Sequence, residues 1–126
     1  MSKFHIRELD HVNIRTENLD EMIQFYTDVL GLTSGPRPDF PFPGAWLYCG
    51  DRAALHLVGV DGPLRPRELQ IEHFAFSATG PDEFTERLKR HEVDYRRRDI
   101  PGTRITQIHL RDRDGNHLHI DFERPG

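Results

Sequence analysis

Apolar residues in this chain fall into short alternating runs separated by two longer, helix-spaced stripes. Between Leu9 and Arg15, Val12 and Ile14 take one side of an extended segment and His11, Asn13 and Arg15 the other, the pattern of a half-buried strand. A helix follows. Leu19, Met22, Phe25, Tyr26, Val29 and Leu30 form its apolar stripe, Asn18 with Glu21 three residues on has the spacing of a capping box, and Gly31 stands where a helix ends. Residues 35–44 hold four prolines and two glycines around Asp39, Phe40 and Phe42, which excludes a central strand. Ala45–Cys49 and Ala54–Val60 then read as strands; in the second, His56 and Val58 share a face opposite Leu55 and Leu57.

After a linker at about 62–68 the pattern repeats. Ile71–Ser77 alternates Phe74 and Phe76 against His73, Ala75 and Ser77. Gly80-Pro81 opens a helix whose inward residues are Phe84, Leu88 and Val93. Tyr95 starts a short strand and Arg104–Leu110 forms another. The turn Asp112–Asn116 leads into a last strand with Leu118, Ile120 and Phe122 on one face and His117, His119 and Asp121 on the other. Each half is strand, helix, then three strands. His73 follows His11 by 62 positions and His119 follows His56 by 63, so equivalent histidines recur at nearly one offset. The expected fold is α+β: two βαβββ modules, about 4–61 and about 69–124, paired in one domain spanning 1–126.

Composition narrows the function classes. With 126 residues, 36% hydrophobic, 30% charged and a net charge of −4, the chain has neither the basic excess of a nucleic-acid binder nor a basic helix for a membrane surface. Glu92 and Asp99 flank Arg96-Arg97-Arg98, which reads as a solvated face. A single cysteine, Cys49, makes no internal disulfide and fits a reducing compartment. Without an apolar run of spanning length or a signal-peptide core after Met1, the expected location is cytoplasmic.

The chemistry resides in the histidines. His5 and His91 read as solvated, and His117, beside a turn, as exposed; His109 shares a face with Gln107 and Arg111 and is a candidate cavity residue. His11, His73 and His119, with His56 as a possible fourth, all face away from the apolar side of their strands and map onto one another under the repeat. Neutral imidazole is a common ligand for first-row divalent metals, so these four form a candidate site for Fe, Ni, Zn or Mn. Three protein ligands leave a metal open to substrate; four close a tetrahedral ion but leave an octahedral one two positions. Asp121, on the His119 face, is a candidate catalytic residue as base or orienter, or else a solvated carboxylate. Phe40, Phe42 and Trp46 are candidate pocket walls and Arg15, Arg37 and Arg104 candidate anion-holding groups, with packing or surface exposure as the competing reading.

Leu9-Asp10-His11-Val12, Phe25-Tyr26-Thr27-Asp28-Val29-Leu30-Gly31-Leu32, Ile71-Glu72-His73-Phe74 and Asp112-Arg113-Asp114-Gly115-Asn116 occur in an order and spacing that resembles the vicinal oxygen chelate superfamily of glyoxalases, bleomycin-resistance proteins and extradiol dioxygenases. The resemblance implies a half-open barrel around a divalent metal, with His11 and His73 as ligands. His119 falls where the family usually has a glutamate ligand, and His56 where glyoxalase I-like members have one, so the usual carboxylate base is missing. Imidazoles in place of carboxylates leave the ion's charge uncompensated, which favours an anionic substrate chelating through oxygens. The resemblance further implies a homodimer with shared sites, His11 and His56 from one chain and His73 and His119 from the other. The implied activity is metal-dependent lyase, isomerase or ring-cleaving dioxygenase chemistry on a small molecule. The alternative is a metal-free ligand-sequestering protein of the bleomycin-resistance type.

Overall fold

The computed structural model describes residues 4–65 and 69–126; residues 66–68 of the expected linker lie outside the described residues. The first module runs β1 (Val12–Thr16), α1 (Leu19–Gln24), β2 (Thr33–Gly35), β3 (Gly44–Cys49) and β4 (Arg52–Gly59). The second runs β5 (His73–Ala78), α2 (Pro81–Arg90), β6 (Arg96–Asp99), β7 (Ile105–Arg111) and β8 (His117–Glu123). Each module forms its own four-stranded sheet, ordered β1-β4-β3-β2 and β5-β8-β7-β6. The first and last strands of each module pair in parallel and the remaining neighbours antiparallel. The α+β fold of two βαβββ modules is therefore the observed one.

Alternation decides what each sheet buries. Leu47, Leu55 and Leu57 from the first sheet and Ile108, Leu110, Leu118, Ile120 and Phe122 from the second join Met22, Phe25, Tyr26, Val29 and Leu88 in one apolar cluster. Burying each such large side chain contributes about 1.5–3 kcal/mol. Residues of opposite parity, the histidines among them, stand on the other face of each sheet. The short β2, which the pattern of apolar positions did not locate, completes the three strands after the helix of module one; at the edge of its sheet it pairs Gly35 with Trp46 and ends where the prolines begin. Beyond it the loop packs on itself. Arg37 lies 5.2 and 5.3 Å from the Phe40 and Phe42 ring centres and donates to the Phe42 carbonyl at 3.1 Å. Among the described residues no helix is long and apolar enough to cross a membrane.

Helix α1 departs from the pattern at both ends. Asn18 does not cap it: the side-chain amide instead donates to Asp114 Oδ1 at 2.9 Å, across to the second module, so the expected capping box is absent. At its other end α1 widens into a π-helical turn, Phe25–Val29, that buries Phe25 and Tyr26 in succession. The Tyr26 hydroxyl donates to Asp112 Oδ2 at 2.6 Å, a contact between the modules. Asp112 is itself buried and also accepts the backbone N–H groups of Asp114 and Asn116 and the Asn116 side-chain amide, each at 2.9 Å. Burial and the adjacent carboxylate push the Tyr26 phenol far above its ordinary range, so it remains a donor.

Asp112→Ala would leave a buried hydroxyl, two turn amides and the Asn116 side-chain amide without their acceptor. The expected loss of unfolding free energy in urea is about 3 kcal/mol, against about 1–3 kcal/mol for Tyr26→Phe, which removes one donor only. Equal, sub-0.5 kcal/mol effects (~0.5 being the ordinary surface level) would show that this contact does not tie the modules together.

Candidate metal centre

Strand register assembles the richer histidine face in module two. Pairing sets His73 beside His117, Ala75 beside His119 and Ser77 beside Asp121 across β5 and β8. Across β8 and β7 it sets His119 beside His109, Asp121 beside Gln107 and His117 beside Arg111; β6 adds Arg96 beside His109 and Arg98 beside Gln107. Paired residues share a face, so His73, His109, His117 and His119 form one patch. Ring centres are 5.0 Å apart for His73–His117, 4.9 Å for His73–His119, 5.1 Å for His109–His117 and 4.7 Å for His109–His119.

Hydrogen bonds assign the ring nitrogens. The Gln107 amide oxygen, 2.8 Å from His109 Nε2, can only accept, so that nitrogen carries the proton. His109 Nδ1, 2.9 Å from His117 Nε2, then accepts from His117, and His117 Nδ1 keeps a lone pair. Burial lowers the pKa of both rings; the neighbouring His119, His117, Arg96 and Arg98 add to this at His109, and His73 and Arg111 at His117.

Module one presents a smaller face. The His11 and His56 rings stack with centres 3.9 Å apart, and Trp46, the register partner of His56, stacks on the other side of His56 at 4.0 Å. His56 Nε2 lies 3.1 Å from the Ala53 carbonyl and donates to it; burial, then the charge of His11, lowers the His56 pKa. The structure thus groups the four predicted ligands as two pairs, His11 with His56 and His73 with His119, on separate sheets. Among the described residues no ring of one pair touches a ring of the other.

Three of the four have a carboxylate behind them. His11 Nδ1 is 2.7 Å from Asp10 Oδ2, His73 Nδ1 is 2.6 Å from Glu72 Oε1, and His119 Nδ1 is 2.6 Å from Asp121 Oδ1. Among the described residues, that leaves the Nε2 nitrogens of His11, His73 and His119 without a protein partner, each an imidazole lone pair of the type that divalent transition metals accept. Glu72, His73 and His117 also bring ligand atoms within 4.8 Å of one another.

The remaining predicted site residues lie apart from this. Phe40, Phe42 and Arg37 form the loop cluster described above, and Arg104 faces the chain terminus, 3.5 Å from Glu123 and 3.4 Å from the Arg124 carbonyl. Arg15 is exposed on β1. His117 departs from expectation: it is half-buried and bonded to His109, because the hairpin register carries it into the cluster. The Arg96–Arg98 run is exposed along its length, as a solvated face requires; Arg97 pairs with Asp82 at 2.9 Å, and Arg96 and Arg98 hold register positions beside His109 and Gln107. A tight turn centred on Asp114 already implies that Arg111 pairs with His117 and His109 with His119, so this part of the cluster was accessible from spacing alone.

The sequence model described as Glyoxalase/Bleomycin resistance protein/Dioxygenase superfamily matches residues 8–120. The chain is 29% identical over 124 residues to Glyoxylase I 4 of Arabidopsis thaliana, covering 92% of this chain and 71% of that protein. The fold matches a glyoxalase family protein of Bacillus anthracis with a TM-score of 0.79, at 23% identity and 98% and 100% coverage of the two chains. It also matches a lactoylglutathione lyase of Agrobacterium tumefaciens with a TM-score of 0.70, at 22% identity and 94% and 95% coverage.

The lowered histidine pKa values predict a direction of pH dependence. A histidine whose folded pKa lies below the unfolded value of about 6.5 binds fewer protons folded than unfolded, so its contribution to stability is lost as pH falls through that value. The melting temperature of metal-free protein should therefore drop between pH 7.5 and 5.5, and His109→Gln should drop less over the same range. Parallel curves for the two proteins, followed by circular dichroism, would contradict this.

Proposed function

The chain belongs to the Glyoxalase/Bleomycin resistance protein/Dioxygenase superfamily, and we propose that it is a metal-dependent enzyme acting on a small anion that chelates through oxygens. The observation that carries this reading is the matched pair of half-sites: on the polar face of each sheet, one pair of neighbouring histidines stands at equivalent positions of the repeat, His11 with His56 and His73 with His119. His11, His73 and His119 would hold the ion, with His56 beside them, His11 and His56 coming from one subunit of a homodimer and His73 and His119 from its partner. A divalent ion bound there would supply Lewis-acid polarisation of the substrate's oxygens.

The protein's own groups would do the rest. Arg96, Arg98 and Arg111 occupy register positions next to His109, Gln107 and His117, where their charge attracts an anionic substrate. Trp46, stacked on His56, gives the first half-site an apolar wall. The family's basic glutamate has no equivalent among the four histidines, but His117 Nδ1 has a free lone pair, with Glu72 Oε1 at 3.9 Å, and can take up a proton there. Asp121, the other candidate base, is engaged by His119 Nδ1. Lyase or isomerase chemistry needs such a proton acceptor, which favours it over ring-cleaving oxidation.

The test is metal content and its complementation. Untagged protein should bind near one metal per chain, and His11→Ala or His73→Ala alone should lose it. Mixed dimers of the two variants contain one intact shared site in two, so random subunit exchange should restore about one quarter of the wild-type metal. No recovery would place the site within one chain. Absence of metal in wild-type protein after reconstitution with Fe, Ni, Zn and Mn would leave the sequestering function instead.

A further inference from the structure

The carboxylates behind the histidines extend this reading, and rest on it. We infer that Asp10, Glu72 and Asp121 are positioning residues of the metal centre: each holds the Nδ1–H of its histidine, presents the opposite Nε2 lone pair as the ligand atom, and supplies negative charge that the imidazole ligands lack.

Three contacts of nearly one length arise from different backbone geometries. Asp10 and Glu72 each immediately precede a histidine, His11 just before β1 and His73 at the start of β5, and contact it at 2.7 and 2.6 Å. Asp121 lies two positions beyond His119 on the same face of β8 and contacts it at 2.6 Å. The repeat thus includes the acid as well as the histidine: Asp10-His11 recurs 62 positions on as Glu72-His73. A neutral imidazole has one N–H and one lone pair, and a carboxylate can only accept, so the contact fixes the proton on Nδ1 and the lone pair on Nε2.

The same rule separates the other histidines of the two faces. His56 donates its Nε2–H to a backbone carbonyl and has only Nδ1 to offer. His109 has both nitrogens engaged, by Gln107 and His117. Among the described residues, only His11, His73 and His119 combine a carboxylate on one nitrogen with an unengaged second nitrogen. Three carboxylates one imidazole away more than offset a divalent charge, so selection of an anionic substrate falls to Arg96, Arg98 and Arg111 rather than to an uncompensated ion.

A role in the fold alone would be a poor use of these pairs. Asp10 and Glu72 are 79% and 77% exposed, and contacts between such solvated groups contribute little to stability. Metal affinity and stability should therefore separate in variants that keep the acceptor oxygen but remove the charge.

The experiment is competitive titration of the full-length protein with cobalt(II) against a chelator, following its visible absorption, for wild type, Asp10→Asn, Glu72→Gln and Asp121→Asn. A parallel urea unfolding curve is recorded for each metal-free protein, with His73→Ala as the control that removes a ligand. Each carboxylate variant is expected to bind about 10–100-fold more weakly at an unchanged urea midpoint. Affinities within twofold of wild type (~2-fold being the resolution of such a titration) in all three would overturn the inference and leave the metal centre standing. Weaker binding that tracks a lowered urea midpoint would also overturn it, as a structural effect. Wild-type protein that takes up no cobalt would overturn the metal centre itself, and the inference with it.

Discussion

A buried carboxylate cannot stay charged in an apolar setting unless donors surround it, and Asp112 gathers four: one phenol, two backbone amides and one side-chain amide. Three of these come from its own turn and set the geometry of the β7–β8 hairpin. The fourth, Tyr26, comes from the π-helical turn that follows α1 in the other module. One group thus holds the register that places His109 opposite His119 and ties that hairpin to the first module's helix. The Asn18–Asp114 contact reinforces the same junction from the start of α1. Asn18 gives up its capping role for it, so tertiary contact has prevailed over a local helix signal.

With the apolar faces of both sheets committed to one core around this junction, the polar faces have no partner within the described chain. Each carries half of the proposed coordination sphere. The two halves differ in character. The first is a stack of three flat rings, Trp46, His56 and His11. The second is a network of four imidazoles bounded by Gln107, Asp121 and Glu72 and flanked by arginines. Joining an aromatic wall to a polar, proton-handling surface gives the proposed dimeric site two chemically distinct sides. A small anionic substrate would then be oriented by both.

The histidines also show why side-chain identity alone is a weak guide to ligation. Six of them lie on the two outward faces, but hydrogen bonding sorts them into different chemical states. Three have Nδ1 against a carboxylate, one is bound to a carbonyl, and two are bonded to each other. An imidazole's proton sits on the nitrogen facing the better acceptor, so the neighbour decides which atom can bind a metal. The carboxylates that seemed missing from the ligand positions stand one bond network further out.

The paired modules were legible from the chain because strand alternation and helix spacing are local properties, and the histidine offsets of 62 and 63 exposed their repetition. Those patterns also determined that His11, His56, His73 and His119 stand on polar faces, since residue parity along a strand is a matter of counting. What counting along single segments left unassigned, the register of neighbouring strands decided. It placed His117 and His109 in one hydrogen-bonded pair, brought Arg96 and Arg98 beside them, and stacked Trp46 on His56. Only the tertiary structure showed that the two histidine pairs do not meet within the described chain, because that depends on which faces the shared core covers. The sequence determines what each strand offers; long-range packing decides which offers meet.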